Sequence, residues 1–244
     1  MAGKPVTQLC YFARVLDPQT AIMIPWHLIS RFGETSLLLP CAVLIAAWLF
    51  HAGAVASARR WLLSFGVTAA LVLASKLAFM GWGIGCAALN FTGFSGHSMM
   101  SASVLPVLLY LIVSARHPRL AVGAGGIGLL LALLVGLSRL KLQAHSGSEV
   151  LSGLALGFAV SLSFIFRGRR PARSAPALAG ALVIVLMLGV PAVGVAAPTH
   201  HWLEILAARL AGRDKPFQRG QWREWAGQRE GSAVLACQPP ASPR

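Results

Sequence analysis

Six apolar runs, at about residues 36 to 56, 61 to 80, 99 to 115, 120 to 138, 150 to 166 and 177 to 197, fill most of the chain between Ser36 and Ala197. A helix rising about 1.5 Å per residue needs roughly 20 apolar residues to cross the hydrocarbon core of a bilayer, and each run comes near that length. Lipid offers no hydrogen bonds to backbone N–H and C=O groups, so such runs must satisfy themselves as helices. The expected architecture is all-α: a polytopic membrane helix bundle of about six transmembrane helices. Composition agrees, because only 11% of the 244 residues are charged and 56% are hydrophobic, whereas a soluble domain carries about 25% charge.

The formal net charge of +14 would suggest nucleic acid in a soluble protein. Here the basic residues cluster in short links between apolar runs, with no basic stripe interleaved with aromatics, so nucleic acid is not an expected partner. The links after runs one, three and five read "SARR", "RHPR" and "RGRRPAR". They hold Arg59, Arg60, Arg116, Arg119, Arg167, Arg169, Arg170 and Arg173 and no acid, which marks that side as cytoplasmic. Ser95–His97 and Ser138–Glu149 then face outward, and the chain reads as an integral protein of a bacterial inner membrane with its functional face toward the periplasm. Three regions follow: an N-terminal interfacial segment over 1–35, a six-helix transmembrane domain over 36–198, and a basic, Trp-containing tail over 199–244. The tail's "HHWLEILAARL" suits an amphipathic interfacial helix, and a disordered tail is the alternative.

Cys10, Cys41, Cys86 and Cys237 lack C-x-x-C spacing, which argues against a zinc or redox motif and leaves any pairing open. Adjacent His200 and His201 would point in different directions on a helix, so they do not make a metal pair. "GAGGIG" (Gly123–Gly128) and Gly153 with Gly157 read as points of close helix approach.

Ionisable residues at membrane depth cost about 3 kcal/mol each on insertion scales, so they are read first as functional. Lys76, His97, Arg139, His145 and Glu149 all fall at the outward ends of runs two to five. His145 and Glu149 are four apart on one helical face, where a carboxylate can take the imidazole proton and leave the other ring nitrogen as a nucleophile or base. Ser95, Gly96 and His97 precede the third run, where a helix N-terminus would offer backbone N–H groups to an anion. Two imidazoles, cations and an anion site together suggest phosphoryl transfer.

"SRLKLQAHSGSE" (Ser138–Glu149) resembles the third signature of the type 2 phosphatidic acid phosphatase and vanadium haloperoxidase superfamily: Ser-Arg, five residues, His, three residues, Asp. "FSGH" (Phe94–His97) resembles its second, Pro-Ser-Gly-His, with Phe94 in place of proline. The first signature, Lys, six residues, Arg-Pro, is matched by Lys76, but Gly83 and Ile84 stand where Arg-Pro is expected.

The resemblance implies a lipid phosphatase of the membrane branch, acting on a phosphorylated lipid among membrane lipids with no metal or other cofactor. It makes His145 the nucleophile that becomes a phosphohistidine and Glu149, replacing aspartate, the group that orients it. His97 becomes the acid for the leaving group and then the base for water. Lys76, Arg139, Ser95 and the Gly96 amide hold the phosphoryl oxygens. Lys141 is one candidate for the charge missing at Gly83, and a weakened or inactive relative that binds or carries phosphorylated lipids is the alternative function. Vanadate-dependent halide oxidation is a further relative of this chemistry. A transporter is disfavoured because the sequence shows no internal repeat, and nothing in it specifies an oligomeric state.

Overall fold

The computed structural model describes residues 18–167, residue 189 and residues 199–220. Regular structure among them is helical: α1 (Pro18–Arg31), α2 (Thr35–His51), α3 (Val55–Trp82), α4 (Gly96–Ser114), α5 (Ala121–Lys141), α6 (Gly147–Arg167) and α7 (Thr199–Leu210), with a 3₁₀ turn at Ala87–Leu89. Five stretches are long and apolar enough to cross a membrane: Pro25–His51, α3, α4, α5 and α6. Of the expected sixth span, 177 to 197, all but residue 189 lies outside the described residues.

Run one begins earlier than its hydropathy suggested. Helix α1 leads into α2 through a tight turn at Phe32–Glu34, in which Gly33 N–H donates to Ser30 O at 3.0 Å and Glu34 N–H to Arg31 O at 3.1 Å. The N-terminal part described here therefore packs onto the bundle: Ser30 is buried and its hydroxyl accepts from Arg139 of α5 at 2.6 Å.

Helix α4 is the axis of the bundle. Ser98, Ser101 and Ser103 on it are fully buried alongside Val104, Val107 and Leu111, and α2, α3, α5 and α6 all pack against it. Buried serines are tolerable in a helix because their hydroxyls bond back to carbonyls of the preceding turn, as Ser101 Oγ does to Ser98 O at 3.1 Å. The outer faces of the other spans expose Leu63, Val67, Leu130, Leu151 and Phe166, the side chains expected to meet lipid.

Small residues set the helix spacing, as the glycine pattern suggested. A Cβ at Gly153 would lie 2.6 Å from Ser95 O, and one at Gly157 2.5 Å from both Met99 O and the Ala102 Cβ. On α5, a Cβ at Gly128 would lie 2.5 Å from the Pro106 Cα. Helices α5 and α6 thus touch the α4 backbone directly, which substitutes packing for the hydrophobic drive that lipid cannot supply. Gly157→Ala is expected to destabilise the protein by about 1–3 kcal/mol through overpacking. Gly126→Ala, where a Cβ meets nothing within 4 Å, should be neutral; thermal unfolding of both variants in detergent checks the contrast.

Candidate active site

The third signature builds its own helix start. Ser146 and Glu149 form a reciprocal capping box: Glu149 N–H donates to Ser146 Oγ at 3.4 Å, and Ser146 N–H donates to Glu149 Oε2 at 3.2 Å. A glutamate at this position reaches back to the cap, which gives a local reason for glutamate where the related signature has aspartate. The box holds the carboxylate beneath His145, whose Nδ1 lies 2.7 Å from Glu149 Oε2. A carboxylate accepts, so Nδ1 carries the proton and the Nε2 lone pair is left free.

Glu149 is completely buried, a position that would be costly for an unpaired carboxylate. It is compensated by two further residues. Thr92 donates to Oε1 twice, through its N–H at 2.7 Å and its hydroxyl at 2.6 Å. Arg219, from the segment after α7, donates through Nη2 to Oε1 at 2.6 Å and to Oε2 at 2.5 Å. The backbone carbonyl of Glu149 accepts from Ser95 N–H at 3.1 Å, which ties the second signature to the third.

Ser95 caps α4. It is fully buried, and its Oγ accepts from the Ser98 hydroxyl at 2.9 Å and the Ser98 N–H at 3.5 Å. The Lys76 ammonium lies 3.8 Å from where a Cβ on Gly96 would sit, so the cation stands over the start of α4. Gly93, at φ 140°, brings the connecting loop against Lys76: a Cβ there would lie 3.3 Å from the Lys76 amide nitrogen and from Ser75 Oγ. Ser75 Oγ also accepts from Phe94 N–H at 3.1 Å.

His97, Lys76, Arg139 and His145 lie within electrostatic reach of one another. Gly33 backs His97, since a Cβ there would come within 3.2 Å of the imidazole Cδ2. Arg139 is held at Nη1 by Ser30, while its Nε is buried with no hydrogen-bond partner among the described residues. Lys141 is exposed and does not line the cavity. That cavity, of about 300 Å³, has Lys76, Thr92, Gly93 and His145 on the bundle side and His200, Glu204, Phe217 and Arg219 on the C-terminal side. Among the described residues no group of three or more His, Cys, Asp or Glu could hold a metal ion.

The seven residues singled out in the sequence thus converge on one end of the bundle, although Ser95 serves there as a buried cap. Thr92, Ser30 and Arg219 were missed. The Ser146–Glu149 cap was missed as well, although its Ser-x-x-Glu spacing could have signalled it; nothing local in the sequence marks the other three.

The model of the PAP2 superfamily matches residues 84–170, a stretch that contains the second and third signatures. An "Uncharacterized 22.5 kDa protein in cps region" of Klebsiella pneumoniae is 42% identical over 200 residues, 80% of this chain and 95% of that protein. Phosphatidylglycerophosphatase B of Bacillus subtilis (strain 168) is 32% identical over 149 residues, 57% of this chain and 71% of that protein. The chain belongs to the PAP2 superfamily. A solved PAP2 relative, the transmembrane phosphatidylglycerolphosphate phosphatase from Bacillus subtilis, is 30% identical and aligns over 64% of this chain and 80% of its own with a TM-score of 0.48.

In this PAP2 protein, burial pushes the His145 imidazole below its ordinary value. The hydrogen bond and charge of Glu149 pull it back up in part, and the Lys76 and Arg139 charges push it down again. Histidine-selective NMR of the apo protein should give a His145 midpoint below about 6.5, and Glu149→Gln, which removes the raising charge, should lower it further; a midpoint above 7 would contradict this balance.

Proposed function

We propose that the protein hydrolyses a phosphomonoester or pyrophosphate of a membrane lipid in two steps through a phosphohistidine. The reading is carried by one observation: the His145–Glu149 pair, with Nε2 left free, stands among Lys76, His97 and Arg139 at the end of a membrane bundle. In the first step the Nε2 lone pair attacks phosphorus, the bond to the leaving oxygen breaks, and His97 gives that oxygen a proton. In the second, water attacks the phosphohistidine while His97 takes its proton, and inorganic phosphate leaves as His145 is regenerated. Lys76, the Arg139 Nε and the Gly96 amide face the phosphoryl oxygens, with Ser95 fixing the start of α4, so that charge is stabilised by donors already in place.

A lipid substrate is supported by where the site lies and by its surroundings. An apolar cavity of about 230 Å³ lined by Ile29, Phe32, Leu105, Leu108 and Leu134 lies beside the Gly33 turn that backs His97 and suits an acyl chain. The name of the Bacillus relative puts phosphatidylglycerophosphate first among candidates, ahead of phosphatidic acid, undecaprenyl pyrophosphate and lipid A phosphates.

We also infer that the site faces the periplasm of a bacterial inner membrane. Arg59, Arg60, Arg116 and Arg167 lie at the opposite end of the spans, and Cys86, in the loop at the site end, is disulfide-bonded, a state that persists in oxidising compartments.

Purified protein in detergent is expected to release phosphate from at least one lipid of this panel, with activity retained in chelator and inhibited by orthovanadate. His145→Ala should lower turnover by 10³-fold or more (on the order of the loss of a catalytic nucleophile); unchanged turnover in a folded His145→Ala protein would refute the assignment, and lipid binding without phosphate release would favour a carrier. For sidedness, Lys141→Cys should react with a membrane-impermeant maleimide added outside spheroplasts, while Arg116→Cys should react only after permeabilisation.

A further inference from the structure

We propose that Arg219, brought in by the C-terminal segment, is the second guanidinium of the phosphoryl site and binds the phosphoryl oxygens beside Arg139. The proposal rests on the phosphatase reading above. It begins at Gly83, which occupies the place of the first-signature arginine. Gly83 ends α3 in the left-handed conformation, at φ 70°, with its N–H on Phe79 O at 2.8 Å. A side chain is strained in that conformation. The glycine at 83 therefore serves as the stop of α3, and the end of this helix cannot readily carry an arginine into the site.

The same helix end receives the C-terminal segment instead. Ala207 of α7 is fully buried against Phe79 and Met80, and a Cβ at Gly81 would lie 3.3 Å from Ala207 O. Gly212, at φ 62°, turns the chain out of α7. Arg213 then stacks on the Phe217 ring at 4.0 Å, and Phe217 N–H donates to Met80 O at 2.8 Å. Two residues later Arg219 enters the site. Its hydrogen bonds to Glu149 and to Thr92 Oγ1 (2.9 Å) all leave from Nη2. Nη1 and Nε thus have no protein partner among the described residues, and Arg219 lines the cavity together with Lys76 and His145. Its side chain is 26% exposed, so it sits at the mouth rather than in the core. A guanidinium anchored by one nitrogen with two nitrogens to spare fits bidentate contact with a phosphoryl group. Residues His200 to Arg219 become the wall of the cavity that the lipid headgroup meets.

Full-length Arg219→Ala and Arg219→Lys proteins, assayed in detergent on the phosphorylated lipid turned over best, test this. Arg219→Ala is expected to lower kcat/KM about 100-fold, on the scale of losing one oxyanion donor, and to weaken inhibition by orthovanadate and inorganic phosphate at least tenfold. Arg219→Lys should fall between it and the parent, and added methylguanidinium should raise turnover of Arg219→Ala but not of His145→Ala. A kcat/KM within threefold of the parent, or an unchanged vanadate inhibition constant, overturns the proposal, and so does an unchanged inorganic-phosphate inhibition constant with no rescue by methylguanidinium, the result expected of an arginine that only braced Glu149. If Arg219→Ala does not fold, the vanadate constant of Arg219→Lys decides by the same criterion. An active His145→Ala protein would instead sink the phosphatase reading on which this one stands.

Discussion

The carboxylate of Glu149 is the point at which the described structure is tied together. A buried negative charge near a membrane surface is tolerable only when its lone pairs are engaged, and each partner comes from a different part of the chain. His145 and Ser146 belong to the turn before α6, Thr92 to the loop between α3 and α4, and Arg219 to the segment beyond α7. Satisfying one carboxylate therefore fixes the relative positions of three segments. It also orients the imidazole, so the demand that stabilises the fold locally and the demand that leaves Nε2 free are met by the same hydrogen bonds.

Close helix packing makes this convergence possible. The α4 backbone is approached by Gly128 of α5 and by Gly153 and Gly157 of α6, and the contact of Gly153 with the Ser95 carbonyl lies next to the Ser95 N–H bond to Glu149 O. Larger side chains at these glycines would push α6 off α4 and separate the two signatures. A packing feature that carries no chemistry thus sets the distance on which the proposed chemistry depends.

Positive charge is concentrated around the cavity. Lys76 and Arg139 come from the ends of two spans, and each is held by contacts that a hydropathy plot does not register: Lys76 by the turn at Gly93, Arg139 by Ser30 of α1. Arg139 keeps a buried Nε with no partner among the described residues. Gly83 shows the converse. Its absent side chain reads as a defect in the first signature, yet the backbone there is a helix stop, and cationic charge reaches the cavity through Arg219 from more than a hundred residues downstream.

What the sequence determined by itself was everything local. Apolar run length specifies spans, and a four-residue spacing puts His145 over Glu149, because each rests on interactions within a few turns of one helix or on the chain's passage through the bilayer. Tertiary structure alone decided that α1 lies against α5 with Ser30 on Arg139, that Thr92 completes the carboxylate shell, and that the segment after α7 folds back over the cavity. These are contacts between side chains 57 to 109 residues apart, made where helix ends happen to meet. No periodicity encodes such a meeting, since any of the many arginines in a basic chain has the same local signature until packing selects the one that reaches a buried acid.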